Sequence, residues 1–321
     1  MAPYKYLPQD VTALDSIGAA SFFNEQLRIL KAQVFDIKYP RLKSFFLIPV
    51  NTEGTPGDTH FEYRIFDFTG IAKTISDYAS DLPTVGVYGR KETTEYRDVG
   101  AAFNFSDKEI AASKKAGVSL KSKKVNAVRK VIDTKIDNVN WNGEQENNIP
   151  GLLSNQDITW SIAPDGAASS TLWSTKTFDE ILADLNNLVG GIAILTHGVE
   201  QPDTLVMSQA AYNVVSTKTR EGGSSNDTTV LEFFLKTHPE IKQVEKLEVC
   251  ADAARYRTGD GNGVVFAYEK SPDVLEMLIN QGVTFHKAER RNLVWRTNVT
   301  AGYGGVVVYL PLAISVMEGI A

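Results

Sequence analysis

Histidine, cysteine, glycine-rich turns and paired carboxylates are the groups from which an active centre would be built, and in this sequence none falls into a working pattern. His60, His197, His238 and His286 belong to no HExxH, CxxC or HxH arrangement, so no metal site is expected. The runs "GDGNG" (259–263) and "GYGG" (302–305) lack the following helix with Lys-Ser/Thr that would cradle a phosphate, and they read as turns. There is no GxSxG. The single cysteine, Cys250, lies between "LEV" and "ADA" in an expected strand, where it reads as a small buried hydrophobe. Asp77 with Asp81, and Asp179 with Glu180, are neighbours in sequence only, whereas acid–base work needs carboxyl groups that converge. The sequence therefore predicts no catalytic residue, no cofactor and no metal.

Charge is more informative. Residues 106–143 hold nine Lys or Arg against four Asp or Glu, while residues 144–321 hold thirteen against twenty-two, in a chain whose net charge is −6. That overall balance argues against a free-standing nucleic-acid binder. The cluster Lys114, Lys115, Lys121, Lys123 and Lys124 is then either a solvated helix face or a contact for a polyanion that reads no sequence.

The elements that would position these residues follow from periodicity. With 321 residues, 43% hydrophobic and 22% charged, the chain has material for a sizeable core. No apolar run approaches the ~18 residues that span a membrane. The start, "MAPYKYLPQDVTALDSIG", has no basic-then-apolar leader pattern, and one cysteine fits a reducing cytoplasm. Residues 1–18 read as an extended arm. "AASFFNEQLRILKAQVFDIKYP" reads as a short amphipathic helix ending before Pro40, and Phe45 to Val50 as a strand.

"FEYRIFDFTGIAKTI" (61–75) then places Phe61, Tyr63 and Ile65 at alternate positions, with Phe66 and Phe68 breaking step. "VYGRKETTEYRDVG" follows a turn-rich stretch, and the two pair as a long hairpin over 59–100 that includes Tyr96. A two-stranded hairpin is marginal alone in water, so something must cover it. Next, Ser106 and Glu109 form a capping box. Val125, Val128, Ile132, Ile136 and Val139 make one apolar stripe, and Asn142-Gly143 supplies a stop. This predicts a long helix over 106–142, with Gly117 and Ser119 where a kink or a break would fall and would leave 106–116 as a separate short helix.

A loop-like stretch runs to residue 176. From there strands and helices alternate: a capped helix from Thr177 to a stop at Gly190, a strand at 204–208, helices in "QAAYNVVSTKT" and "VLEFFLKTHP", and strands in "IKQVEKLEVC" and "GVVFAY". A further helix is expected in "SPDVLEMLINQG", with Ser271 as cap, Pro272 in the first turn and Gly282 as stop. Val306 to Leu310 reads as a central strand and "AISVM" as the last one.

The order of parts, together with the texture of "NLVWRTNVTAGYGGVVVYLPLAISV" and "PDTLVMSQAAYNVV", resembles the major capsid proteins of tailed bacteriophages with the HK97-like fold. The resemblance implies an α+β fold with an N-terminal arm and short helix (1–58) and an extended β-hairpin, or E-loop (59–100). It implies a peripheral domain (101–176 and 283–321) carrying the long spine helix 106–142, and an α/β axial domain (177–282). It also implies a non-enzymatic protein of the virion that assembles into hexamers and pentamers of an icosahedral head shell around the genome. Its partners would be further copies of itself, packaged double-stranded DNA bound non-specifically, and scaffold, portal and decoration proteins, with no membrane.

On this view Phe61, Tyr63, Ile65, Phe66, Phe68 and Tyr96 lean on a neighbouring subunit, and Lys114, Lys115, Lys121, Lys123 and Lys124 face DNA. Some members weld their shells through Lys–Asn bonds from the hairpin. Lys73 and Lys91 lie there, but no acceptor Asn or catalytic Glu is identifiable, so no such weld is expected. Two other readings stay open on sequence alone: an encapsulin-like compartment, and a hydrolase with an unrecognised site in 177–282.

Overall fold

The computed structural model describes residues 42–71, 73, 84–109, 120–220, 228–251, 263–292 and 294–320. The chain divides into two compact units, Met1–Leu42 and Lys43–Ala321. Only Leu42 of the first is described, so the expected arm and first helix lie outside the described residues, as do 110–119 and most of the loop 221–229.

In the second unit the elements are α1 (Ser44–Leu47), β1 (Val50–Asn51), β2 (His60–Thr69), β3 (Gly86–Glu95), β4 (Arg97–Ser106), α2 (Leu120–Asn142), β5 (Thr159–Ile162), α3 (Phe178–Leu195), β6 (Thr204–Met207), α4 (Gln209–Thr217) and α5 (Val230–Thr237). They continue as β7 (Gln243–Lys246), β8 (Val264–Tyr268), β9 (Leu275–Leu278), β10 (Gln281–Phe285), β11 (Glu289–Arg291), β12 (Val294–Tyr303), β13 (Gly305–Val308) and β14 (Ile314–Glu318). The fold is α+β.

Of the long helix expected over 106–142, the structure describes Leu120–Asn142, while 110–119 lie outside the described residues. Ser106 and Glu109 exchange their capping bonds, each backbone N–H donating to the other's side chain at 3.1 Å. Val128, Ile132, Ile136 and Val139 of α2 pack across β4 and β12 onto Phe103, Val299, Ala301 and Tyr303. β4 and β12 pair over ten residues, from Arg97↔Tyr303 to Ser106↔Val294. The helix stops at Gly143, whose φ of 69° closes the last turn with a 2.7 Å bond from its N–H to the carbonyl of Val139.

The second sheet runs β5-β14-β8-β6-β7, with α3, α4 and α5 packed on it through Ile181, Leu185, Leu188, Val215 and Phe234. β14 lies between β5, parallel, and β8, antiparallel. The segment 283–321 therefore splits: β10 to β12 join the helix-backed sheet, while β14 joins the strands of the 177–282 module. α3 begins at a Thr177–Glu180 capping box. Its first turns are fixed by a buried ion pair, Lys176 Nζ to Asp184 Oδ2 at 2.6 Å, to which Trp173 Nε1 adds a 2.9 Å bond.

Several sequence expectations are corrected. Residues 45–50 are not a strand: Ser44 and Leu47, three apart, bury one face of α1, and β1 holds only Val50 and Asn51. Residues 271–282 are not a helix. Ser271 does nucleate a turn, accepting the N–H of Val274 at 3.1 Å, but Leu275 and Met277 then enter a sheet between β1 and β13, and Gly282 lies within β10. Tertiary pairing overrides the local cap.

α3 runs through Gly190 to Leu195 because its buried stripe continues to Ile192. Cys250 lies in a short 3-10 turn after β7, not in a strand, yet is fully buried. Val306 to Val308 form an edge strand, since β9 rather than β13 is central in that three-stranded sheet.

Candidate subunit interface

The hairpin is built as expected and is two different objects along its length. β2 and β3 pair in register from His60↔Glu95 to Thr69↔Gly86. The expected second strand does not continue straight to residue 100. It breaks at Tyr96, whose N–H donates to the carbonyl of Thr59 at 2.9 Å, and resumes as β4 in the helix-backed sheet.

At the root, Phe61, Tyr63 and Tyr96 pack on the chain's own Leu278, Val307 and Tyr309. The Tyr63 and Tyr309 rings meet edge to face at 5.0 Å. Tyr309 donates its hydroxyl to Glu276 at 2.9 Å, and burial together with that carboxylate pushes the phenol's pKa up. A shallow groove of about 320 Å³ opens beside this root, lined by Tyr63, Arg64, Ile65, Pro272, Asp273, Tyr309 and Leu310.

Beyond Ile65 the described residues of this body leave the ribbon uncovered. Phe66 is 57% exposed and Phe68 72%, and Ile71, Val85, Val87 and Tyr88 are exposed with them. Because residues opposite each other share a face, Phe66 and Phe68 stand with Gly89 and Val87. The Phe66 ring lies so close over Gly89 that a Cβ there would come within 2.9 Å of it. Nearer the root the same face is charged: Lys91 Nζ meets Glu62 Oε2 at 2.5 Å, and Arg64 approaches Glu62 at 3.6 Å. The hydrogen bond from Lys91 holds the Glu62 carboxyl below its ordinary range.

The lysine candidates do not form one set. Lys114 and Lys115 lie outside the described residues, and Lys121 is on α2. Lys123 is exposed. Lys124 is a strut: its ammonium donates to the carbonyl of Asn104 at 2.7 Å and to Glu109 at 3.0 Å, 4.6 Å above the Phe105 ring.

Three of the four histidines have side-chain partners, His60 with Thr59, His286 with Thr300, and His238 with Glu240 and Asn186. Burial pushes the Cys250 thiol pKa up, away from thiolate chemistry. No group of three metal-ligating side chains converges among the described residues.

Val85 and Tyr88, exposed along with Ile71 and Val87, carry no sequence expectation of their own. Their only signal is that the apolar alternation of the hairpin persists past the point where its own body could meet it.

The family model described as Major capsid protein covers residues 70–320. The chain belongs to that family. It is a shell-forming structural protein of a virion, with the HK97-like fold. Among solved structures, the capsid of Myoviridae phage XM1 superposes with a TM-score of 0.76 at 17% identity, covering 92% of this chain and 98% of that one. A structure from Mycobacterium phage Bobi gives 0.59 at 13% identity, covering 95% and 98%. The capsid of an empty GTA particle gives 0.59 at 11% identity, covering 96% and 100%. No curated protein matches. No helix among the described residues of this capsid protein is long and apolar enough to cross a membrane.

Proposed function

We propose that the protein is the repeating unit of an icosahedral head shell, assembling as hexamers and pentamers around packaged double-stranded DNA, and that it does so without catalysis. The observation that carries this reading is the division of the hairpin. Its root is fixed to its own body, while Phe66, Phe68, Val87 and Tyr88 stand in solvent at 57 to 72% exposure, an apolar surface that a lone subunit leaves uncovered.

In the shell a neighbouring copy covers that surface through head-to-tail contacts that close into rings. Of the hairpin residues, Phe61, Tyr63 and Tyr96 then set the angle at which the ribbon leaves the body, and Ile65, Phe66 and Phe68 meet the neighbour. Many such contacts act together, so each can be weak.

Residues 59–100 are the E-loop in this reading. The helix-backed sheet with α2 is the peripheral domain, and the module 177–282, joined by β5 and β14, is the axial domain. Lys121 and Lys123 on α2, together with Lys114 and Lys115 earlier in the sequence, face DNA and neutralise phosphate without reading sequence. Scaffold, portal and decoration proteins are partners of the assembled head rather than of this chain's site. Negative-stain electron microscopy of the expressed protein tests the reading: rings or closed particles are expected, and a monodisperse small oligomer at every concentration and ionic strength would overturn it. Reversal of Lys121 and Lys123 to Glu is expected to lower DNA retention while leaving empty shells intact, and unchanged retention would refute the DNA-facing assignment.

A further inference from the structure

A second surface, distant in sequence from the E-loop, is exposed and charged without serving the fold. Every residue from Thr284 to Asn292 is exposed, and the three residues of β11 bury nothing. Within 286–296 stand Lys287, Arg290, Arg291 and Arg296 against one acid, Glu289. The arm is nonetheless stiff. β11 pairs with β12, and Asn292 at its end has φ 55°. Arg290 lies 5.7 Å over the Trp295 ring, and both hold Asp107, Trp295 through Nε1 at 3.1 Å and Arg290 at 3.3 Å. Arg and Trp locked in one orientation are what a protein-binding hot spot is made of, because little side-chain entropy remains to be lost on docking.

The opposite charge lies on the 177–282 module, which holds eight Lys or Arg against sixteen Asp or Glu. Its exposed residues Ile194 and Val199, 75% and 76% exposed at the end of α3, lead directly into Glu200. Glu200 is crowded by Glu269 and Asp273: the facing Glu269 carboxyl first, then burial and the charges of both carboxylates, push its pKa up, while Glu269 accepts the backbone N–H of Gln201 at 3.4 Å. No cation among the described residues lies within ion-pair distance of any of the three. Arg64 lines the same groove as Asp273 but approaches Glu62 instead. An apolar patch beside unneutralised carboxylates therefore complements a stiff Arg/Trp arm.

We infer that the β11–β12 arm of one subunit docks on the surface formed by the end of α3, Glu200, Glu269 and Asp273 of a second copy of the chain. The two surfaces are different parts of the molecule, so the contact is head-to-tail. Glu289 in the middle of the arm, and Trp295 beside it, fit a mixed protein surface better than a run of phosphates. The inference rests on the shell reading and adds a contact that the E-loop does not make.

The test is a charge swap in the full chain. Lys287→Glu with Arg291→Glu, and separately Glu269→Lys with Asp273→Lys, are each expected to raise the concentration needed for particle assembly at least tenfold. The chain carrying all four changes is expected to recover most of that loss. The neutral pair Lys287→Gln and Arg291→Gln should fall between wild type and reversal, and unchanged thermal melts of the unassembled proteins show that the fold is intact.

As an independent reading, carbodiimide coupling of assembled particles followed by mass spectrometry should join Lys287 to Glu200, Glu269 or Asp273 of another copy. Single reversals that assemble like wild type, or a four-fold variant no better than either pair, would overturn the inference. So would arm reversals that assemble normally but retain less DNA, since the arm would then bind phosphate. If the wild type itself forms no particles, the shell reading fails before this one is reached.

Discussion

Replacing Phe66 and Phe68 by Thr separates the two halves of the hairpin. Threonine keeps strand propensity, so the change removes apolar surface and little else. In the isolated subunit the rings are 57% and 72% exposed, and the substitution is expected to alter stability by no more than about 1 kcal/mol. In the proposed shell contact the same rings are covered. A phenylalanine side chain carries about 200 Å² of burial, so each ring has roughly 120 to 140 Å² left to lose. At about 25 cal/mol per Å² that is about 3 kcal/mol per ring, or about 6 for the pair. Ordering of the ribbon and incomplete coverage reduce this to about 3 kcal/mol per contact, on the order of a hundredfold in its equilibrium constant. Urea unfolding of the subunit at low concentration and light scattering of assembly measure the two quantities on one preparation. Subunit stability unchanged and assembly lost is the expected pair of results. A loss of more than about 2 kcal/mol in the subunit, or particles forming at the wild-type concentration, would show that the ribbon is covered by its own chain.

Three further outcomes test the body that carries the hairpin. Ile132→Ala, at a fully buried position of α2, should cost about 2 to 5 kcal/mol in urea unfolding, whereas Val131→Ala, 62% exposed one residue away, should be nearly neutral. Burial alone would raise Glu144, but the hydrogen bonds from Lys135 (2.6 Å) and Tyr303 (2.7 Å) outweigh it and hold its carboxyl at about 2. Because the folded value lies below the ordinary 4.5, its contribution is complete above pH 4.5 and lost as pH falls toward 2. Glu144→Gln should therefore flatten that part of an acid titration of stability and cost about 1 to 2 kcal/mol at neutral pH. Lys176→Met strands a buried carboxylate and should cost about 3 to 5 kcal/mol, while Lys176→Met with Asp184→Leu recovers most of it; a double variant as unstable as the single would refute the assignment of the cost to an unpaired charge.

What could be read from the sequence was what is decided locally. The Ser106–Glu109 and Thr177–Glu180 boxes, the stripe from Val125 to Val139 and the alternation from Phe61 to Ile65 each need only a few neighbouring residues to be recognised, and each forms as expected. The failures share one cause. Ser271 and Pro272 signal a helix start, and the first turn does form, but Met277 finds Val50 in one neighbouring strand and Val306 in the other, residues some 227 and 29 positions away, and becomes a strand. Gly190 lacks a side chain but not a helical environment, so it stops nothing. The arm at 286–296 was invisible for a related reason: its charges are unexceptional as composition and acquire meaning only when β11 is seen to bury none of them.

The break at Tyr96 bears on the proposal that the hairpin serves an assembly rather than a fold. A ladder of ten pairs extends roughly 33 Å, and only its first few are fixed, by Phe61 and Tyr63 against Tyr309 and by Tyr96 itself. Tyr96 leaves β3 without a straight continuation into β4, so the ribbon departs from the sheet instead of widening it. Anchoring the root orients the ribbon, and leaving the rest uncovered makes its burial conditional on a partner. Had the apolar residues ended at Ile65, the ribbon would be a short appendage stable in its own right. Had they been covered by the chain itself, a neighbour would find only charge. The sequence from Phe66 to Ile71 and from Val85 to Tyr88 does neither, and under the proposed shell contact part of the stabilisation passes from the subunit to the contact between subunits.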